Sequence, residues 1–356
     1  MRIALACQAD GYAIVVYCLE WFGQVPDGFH VERIEVAGVV NHVRYQNFGQ
    51  AVTQRAHWRR PAAVIGFNKI PGLDIYYAAD PCFEHKAQTQ RKPIYRYTRR
   101  YKQMAAYERA VFEPDAKTHI LLITQQQQED FVTHYHTQPE RFHVLPPGVS
   151  QDRQRQPNWR EARQAVRDEL DLKDHELLLL LVGSGFITKG LDRLLLAVAA
   201  LPGEMRARVR LLVIGQDNPT AFLRQAQKLN IAERVTIQSG RNDIPDVLQG
   251  ADLMVHPAYS ESGGLVLIEA IIAGLPVIAT GACGFAHYIE EAGAGCVLAE
   301  PFSQADLNQA VVQALDDEAQ RQTWSAAGVA FGQAHQELYD MPRHALSIIN
   351  QLVNSR

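Results

Sequence analysis

The sequence lacks a cysteine framework. Its 356 residues hold five cysteines, Cys7, Cys18, Cys82, Cys283 and Cys296, an odd and widely spaced set with no Cys-x-x-Cys pair. That excludes a disulfide scaffold and a structural zinc site, and reads as reduced thiols in a cytoplasmic protein. Long apolar runs are missing too: no segment approaches the roughly 20 residues that span a bilayer, and the N-terminus lacks the charged, apolar, then small pattern of a leader. Charge of one sign is not in excess. With 35 Lys and Arg against 39 Asp and Glu, the net charge of -4 gives no whole-chain attraction to nucleic acid. No Asp-x-Asp motif and no His/Cys cluster at ligand spacing occurs, so no metal is expected.

What is there is a globular composition, 47% hydrophobic and 21% charged, on a chain too long for a single core. Two domains are expected, with a natural site between them. Short apolar runs recur between helical stretches at 13–19, 63–67, 120–124, 177–183, 209–214, 235–238, 253–256 and 276–279. Runs of this length, often β-branched, predict strands buried on both faces, and hence an α/β, doubly wound fold with parallel sheets. Pro146-Pro147-Gly148 closes the strand-like FHVLPPGV and a polar Arg/Gln-rich stretch follows, so domains are expected at 1–150 and 151–335, with a final helix in 336–356. Gln125 to Gln128 reads as a solvated helix start.

Two stretches carry chemistry. LLLLLVGSGFITKGLDRLLLAVAAL, from Leu177, reads as strand, glycine turn, then helix, an arrangement that aims backbone N–H groups at an anion. In ADLMVHPAYSESGGLVLIEAIIAGLPVIAT a strand ends at His256-Pro257, a loop carries Glu261, and a helix from about Leu265 brings Glu269 in, eight positions on. The N–H groups of Gly263, Gly264 and Leu265 at that helix start suit diphosphate or sugar oxygens. Glu269 could accept from a ribose diol while Glu261 reaches the sugar. An isolated E-x7-E is more often a cap and a solvated face; between two buried strands and beside GGLVLIEA it points to a nucleotide sugar. His256 reads as a satisfied structural histidine.

With its HPAYSESGG context, the E-x7-E resembles the retaining glycosyltransferases of family 4, which have the GT-B fold, two Rossmann-like domains facing a central cleft. GFNKIPGLDIYYAADPCFEHKAQT, YERAVFEP, HYHTQPERFHVLPPG, GLDRLLLA, IGQD, SGRNDIP and CGFAHYI are similar, more narrowly, to the inner-core lipopolysaccharide glucosyltransferases, over nearly the whole chain. The resemblance implies UDP-glucose as donor, heptose of the inner core as acceptor, and no cofactor. It implies that Lys189 and Arg153 neutralise the diphosphate, that Gly183 and Gly185 keep the turn open, and that Arg241 lies where uracil is held, unless it is a capping surface arginine. It implies that Glu261 contacts the glucose and Glu269 the ribose. Many relatives carry arginine at Thr188, so Lys189 and Arg153 would supply most of the positive charge. Asp80, in YYAADPC, is the candidate for orienting or deprotonating the acceptor hydroxyl; a turn or cap role is the plain alternative. The C-terminal helix would return to the N-terminal domain.

From Phe83 to Phe112, Lys86, Arg91, Lys92, Arg96, Arg99, Arg100, Lys102 and Arg109 alternate with Tyr95, Tyr97, Tyr101 and Tyr107. Basic side chains interleaved with aromatics suit anionic headgroups or core phosphates, although an RNA-binding or merely solvated helix has the same composition. A membrane-anchored acceptor favours the membrane reading, and with it a peripheral location on the inner face. The opening MRIALACQADGYAIVVYCLEW matches the family from within its first helix, with Asp10-Gly11 as the stop. The family's first strand and glycine loop are then expected to precede Met1; a late start codon, favoured because everything downstream of Met1 looks intact, a true truncation or a degenerate gene would each explain their absence. Two other readings stand beside the enzyme: a different sugar-nucleotide enzyme of the same fold, and a non-catalytic nucleotide or membrane binder.

Overall fold

The computed structural model describes residues 1–355 and divides into two compact units, Met1–Gly148 with the C-terminal segment from Asp340, and Val149–Tyr339. The first unit opens on a helix, Arg2–Ala9, ended by Asp10 and by Gly11 at φ 95°, a left-handed geometry that glycine adopts freely. Strands β1 (Ile14–Cys18) and β2 (Phe29–Arg33) pair in parallel. Strands β3 (Ile65–Gly66), β4 (Ile75–Ala78), β5 (His119–Leu122) and β6 (Phe142–Val144) form a second parallel sheet in chain order. Alternate residues serve opposite faces. Ile75 and Leu121 join Ile3, Cys7, Met341, Ala345 and Ile349 on one side, while Tyr76, Ala78, Ile120 and Leu122 meet Val111, Phe112 and Phe131 on the other. The helix Met341–Asn354 docks beside the first helix, where Tyr12 Oη donates to Asn350 Oδ1 at 2.7 Å and Asn350 Nδ2 donates to Asp10 Oδ2 at 2.9 Å.

One expectation is corrected in this unit. The glutamine run does open a helix, Gln126–Tyr135, but Gln127 is buried rather than solvated. Its Oε1 accepts from the N–H groups of Ile123 (3.2 Å) and Thr124 (3.3 Å), and its Nε2 donates to the Ala78 carbonyl at 3.1 Å. The side chain satisfies backbone groups left over where β4 and β5 end.

The second unit is a doubly wound sheet of six parallel strands: β7 (Leu177–Val182), β8 (Val209–Ile214), β9 (Val235–Gln238), β10 (Leu253–His256), β11 (Val277–Thr280) and β12 (Gly295–Leu298). Their order is β12-β11-β10-β7-β8-β9, so the direction of winding reverses between β7 and β10. In such sheets the crevice beyond the C-terminal ends of the strands at the reversal is where ligands bind. Leu178 to Leu181 of β7 are fully buried, as expected of a central strand covered on both faces.

At the opposite, N-terminal end, Asp252 ties these two strands together. It accepts from Leu178 N (2.7 Å), from Arg163 Nη2 (2.6 Å) and from Arg167 Nη1 (3.2 Å), both arginines coming from the helix Trp159–Glu169. Arg167 is itself buried. Asp252→Ala would strand that guanidinium without its carboxylate, and we expect a loss of about 3 to 5 kcal/mol in urea unfolding. A change of less than about 1 kcal/mol, the scale of an exposed pair, would contradict this account.

Candidate active site

The turn after β7 and the loop after β10 are sewn together. Gly190, at φ 74°, begins the helix Leu191–Ala199, and a Cβ there would run into the Pro257 carbonyl. Tyr259 N donates to the Thr188 carbonyl at 2.8 Å. Arg193 Nη1 donates to the Pro257 and Ala258 carbonyls, each at 3.1 Å, while its guanidinium stacks between the rings of Tyr259 and Phe302 at 3.5 and 3.7 Å. Glu261 is fixed on both sides of its own backbone: its N–H donates to the Ala282 carbonyl (3.1 Å) and its carbonyl accepts from Gly284 N (3.0 Å), a parallel bridge to Cys283.

Within this frame Lys189 Nζ contacts Glu261 Oε2, with both side chains largely withdrawn from solvent. Burial holds the Lys189 ammonium below the ordinary lysine range. The helix Leu265–Ala273 follows, preceded by Gly264 in the left-handed conformation; Leu267 N donates to the Gly264 carbonyl at 2.9 Å, and the N–H groups of Leu265 and Val266 come too early in the helix to have an acceptor within it. Glu269, one turn further on, accepts from Arg153 Nε at 3.2 Å. Arg153 Nη1 is buried without a hydrogen-bond partner, a donor available to an anion. The two carboxylates of the E-x7-E are thus each matched with one of the two cations expected at the diphosphate.

Gly183 (φ 138°) and Gly185 (φ 85°) both lie at positive φ, a geometry that favours glycine in the turn. Two of the turn's N–H groups, however, already have a partner: those of Gly185 and Phe186 donate to Asp217 Oδ2, while Ser184 Oγ of the turn accepts from Gln216 N at 3.1 Å. Sequence reasoning missed Asp217, though the string IGQD contains it. Arg241 lies just beyond β9 with its donors occupied by Glu169 and Asp243, which raise its pKa further.

His256 corrects a second expectation. It is fully buried at the end of β10, but it is not satisfied: neither ring nitrogen has a hydrogen-bond partner, and Nε2 lies 3.7 Å from Glu261 Oε2. Burial, reinforced by the Lys189 charge, pushes its pKa down to about 3. The imidazole is therefore neutral beside the Lys189–Glu261 pair at ordinary pH.

In the first unit Asp80 is exposed just after β4. Burial foremost, and the Asp80 charge next, push the phenols of Tyr45 and Tyr76 upward. The basic segment folds as the helix Phe83–Gln90, a short turn at Pro93–Tyr97 and the helix Arg99–Phe112. All eight basic residues are exposed, as are Ile94 (73%) and Tyr97 (80%). Tyr101 and Tyr107 are buried, so the aromatics do not present one surface with the arginines and lysines. Among the described residues no group of three His, Cys, Asp or Glu could hold a metal ion, and no helix is long and apolar enough to cross a membrane.

A doubly wound second unit with a carboxylate pair at its reversal point, preceded by a parallel α/β unit, is the GT-B glycosyltransferase architecture. Residues 162–330 match the family model for glycosyl transferases group 1. The lipopolysaccharide glucosyltransferase WaaG of Escherichia coli (strain K12) is 42% identical over 98% of this chain and 93% of its own length. A crystal structure of WaaG, described as a glycosyltransferase involved in lipopolysaccharide biosynthesis, superposes with a TM-score of 0.93 over 98% of this chain and 94% of that one. A D-inositol 3-phosphate glycosyltransferase of Streptomyces scabiei is 32% identical over 51% of this chain and 42% of its own. A sucrose-phosphate synthase of Thermosynechococcus elongatus, 19% identical, shares the fold over 99% of this chain and 91% of its own with a TM-score of 0.75. The chain belongs to the family of the lipopolysaccharide glucosyltransferase WaaG.

Two outcomes follow from the geometry. Gly190→Ala forces the Lys189 turn away from the Pro257 loop, so it should destabilise the chain by about 1 to 3 kcal/mol in urea unfolding, the scale of overpacking; unchanged stability would contradict the close approach. His256, neutral when folded, takes up a proton below its ordinary value of 6.5 only when unfolded, until about pH 3 is reached. Its contribution is present above pH 6.5 and falls away between 6.5 and about 3, by up to about 1.4 kcal/mol per pH unit. His256→Gln should flatten the pH dependence of unfolding in that window relative to the parent, and parallel curves would show that the imidazole does not titrate there.

Proposed function

We propose that the chain transfers glucose, with retention, from UDP-glucose to a heptose of the lipopolysaccharide inner core. The observation that carries this reading is the double pairing of Lys189 with Glu261 and Arg153 with Glu269 at the reversal point of the second sheet. A diphosphate arriving there would draw both cations. Lys189 and the buried Nη1 of Arg153 would neutralise the departing UDP, with the N–H groups of Gly263, Gly264 and Leu265 adding the positive end of a helix. Glu269 would then hold the ribose diol. Glu261, released from Lys189, would face the sugar and stabilise the positive charge that develops as the glycosidic bond breaks. The acceptor hydroxyl enters on the face the UDP leaves, which retains the configuration, with Asp80 orienting it or taking its proton. Arg241 would sit beside the uracil, leaving the base to backbone groups because its own donors are occupied.

The relative's name supplies glucose and lipopolysaccharide; the chain's own residues supply the charge pattern for a sugar diphosphate. We further propose that the exposed basic residues of 83–112, with Ile94 and Tyr97, meet an anionic membrane surface on the cytoplasmic face, where a lipid-anchored acceptor is presented.

Incubating the chain with UDP-[14C]glucose and heptose-terminated core lipopolysaccharide should label the lipopolysaccharide through an α linkage. Glu269→Ala should weaken UDP binding by about 10- to 100-fold, the value of charged hydrogen bonds. Glu261→Ala should lower turnover by about 100- to 1,000-fold while UDP still binds. Label transferred from a different sugar nucleotide in preference, or a β linkage, would overturn the reading.

A further inference from the structure

Two of the strings that carry the family resemblance, GFNKIPGLDIYYAADPC and YERAVFEP, contain charged residues that the donor chemistry does not use. The fold brings them together. Lys69 Nζ donates to Glu108 Oε1 at 2.5 Å, with Glu108 fully buried and Lys69 nearly so. The Glu108 carboxylate also accepts from Phe83 N (2.8 Å), Glu84 N (2.9 Å) and Tyr135 Oη (2.6 Å), and Cys82 Sγ lies 3.8 Å from it. Lys69 Nζ donates in addition to the Pro81 carbonyl at 3.1 Å, and the Lys69 carbonyl accepts from Tyr45 Oη at 2.8 Å.

These bonds converge on one short piece of backbone. On the near side of Asp80, Gln127 holds the Ala78 carbonyl. On the far side, Lys69 holds Pro81 and Glu108 holds the start of the next helix at Phe83 and Glu84. Asp80 itself stays exposed between these clamps. A buried ion pair is a poor way to gain stability, because the desolvation of two charges offsets most of their attraction, and apolar replacements often do as well. Its use is to fix geometry: five donors around one carboxylate leave it a single arrangement. Around the cluster the effect is visible, since burial together with the Glu108 charge pushes the Cys82 thiol up to about 12.

We propose that the buried Lys69–Glu108 pair is a positioning device for the acceptor side of the reaction, holding the turn that presents Asp80 to the incoming sugar hydroxyl. The inference rests on the assignment of Asp80 to the acceptor. Lys69 and Glu108 touch no substrate; they act through the Ala79–Cys82 backbone.

The test compares Asp80→Asn, Glu108→Gln, Lys69→Met, Lys69→Arg and Tyr135→Phe in the full chain, using heptose-terminated core lipopolysaccharide as acceptor and UDP as a separate probe of the donor site. Tyr135→Phe removes one hydroxyl and no charge, so it remains informative if Glu108→Gln does not fold. We expect Glu108→Gln to raise the acceptor KM or Kd by about 10- to 100-fold, and Tyr135→Phe by a smaller factor, with UDP affinity unchanged. Lys69→Arg, which keeps the charge, should restore most of what is lost in Lys69→Met. Adding Asp80→Asn to Glu108→Gln should cost less than Asp80→Asn alone, because the turn is already released. If Asp80→Asn lowers acceptor use while folded Glu108→Gln and Tyr135→Phe leave it intact, the positioning proposal fails and the Asp80 reading stands. If Asp80→Asn leaves acceptor kinetics at the parental value, the Asp80 reading fails first and the proposal with it. Equal losses of acceptor and UDP affinity would mark a general loss of structure and overturn it as well.

Discussion

The contact between Lys189 and Glu261 is the constraint on which the second unit's site depends. A partly buried ammonium needs a counter-charge, and a partly buried carboxylate needs the same, so each fixes the other at small net cost. The surroundings are arranged to leave no alternative. Gly190 lets the turn touch the Pro257 loop, Arg193 braces that loop, and the bridge to Cys283 locks the Glu261 backbone. His256, buried and neutral, adds no second positive charge beside the carboxylate. Arg153 and Glu269 repeat the same arrangement one helical turn away. The result is a site with two cations and two carboxylates, whose internal pairs would, under the proposed function, be exchanged for bonds to a diphosphate and a sugar.

The same physics appears in the first unit with the opposite emphasis. There the charged pair is hidden and the carboxylate assigned to chemistry is exposed. Lys69 and Glu108 sit in an apolar setting of Phe112, Phe131 and Tyr135, with Lys69 Nζ 5.6 Å from the Phe131 ring centroid. Electrostatics is strong in that environment, and the pair spends its strength on backbone groups rather than on a ligand. In the second unit the matched pairs keep some exposure, which the proposed exchange with a ligand requires.

Much of this was legible in the residues. Leu177 to Gly183 fits a strand covered on both faces, and the glycines after it, followed by Leu191, Leu194 and Leu195, set the turn and helix that place Lys189. The helix at Leu265 was legible because Gly263-Gly264 precedes an unbroken apolar run. Three strands escaped notice. Phe29–Arg33 alternates apolar with charged residues on a two-stranded sheet, Ile75–Ala78 lies inside a string read for its motif, and Gly295–Leu298 is short and at an edge. Pairings across long sequence separations were beyond reach. Nothing local to Lys69 announces Glu108, and nothing in IGQD announces that Asp217 will take the N–H groups of Gly185 and Phe186. Gln127 and His256 were misjudged for a related reason: their residue types suggested exposure and satisfaction, and only tertiary contacts decide either.

The central claim is that Lys189 serves Glu261 and the donor diphosphate in turn. UDP affinity in Glu261→Gln, measured by titration calorimetry beside the parent chain, tests it most directly. Removing the carboxylate that competes for Lys189 should tighten UDP binding, by about 3- to 10-fold for one partly buried pair, even as glucose transfer is lost. UDP binding weakened in proportion to the lost transfer would show that Glu261 supports the diphosphate rather than competing with it, and would contradict the account.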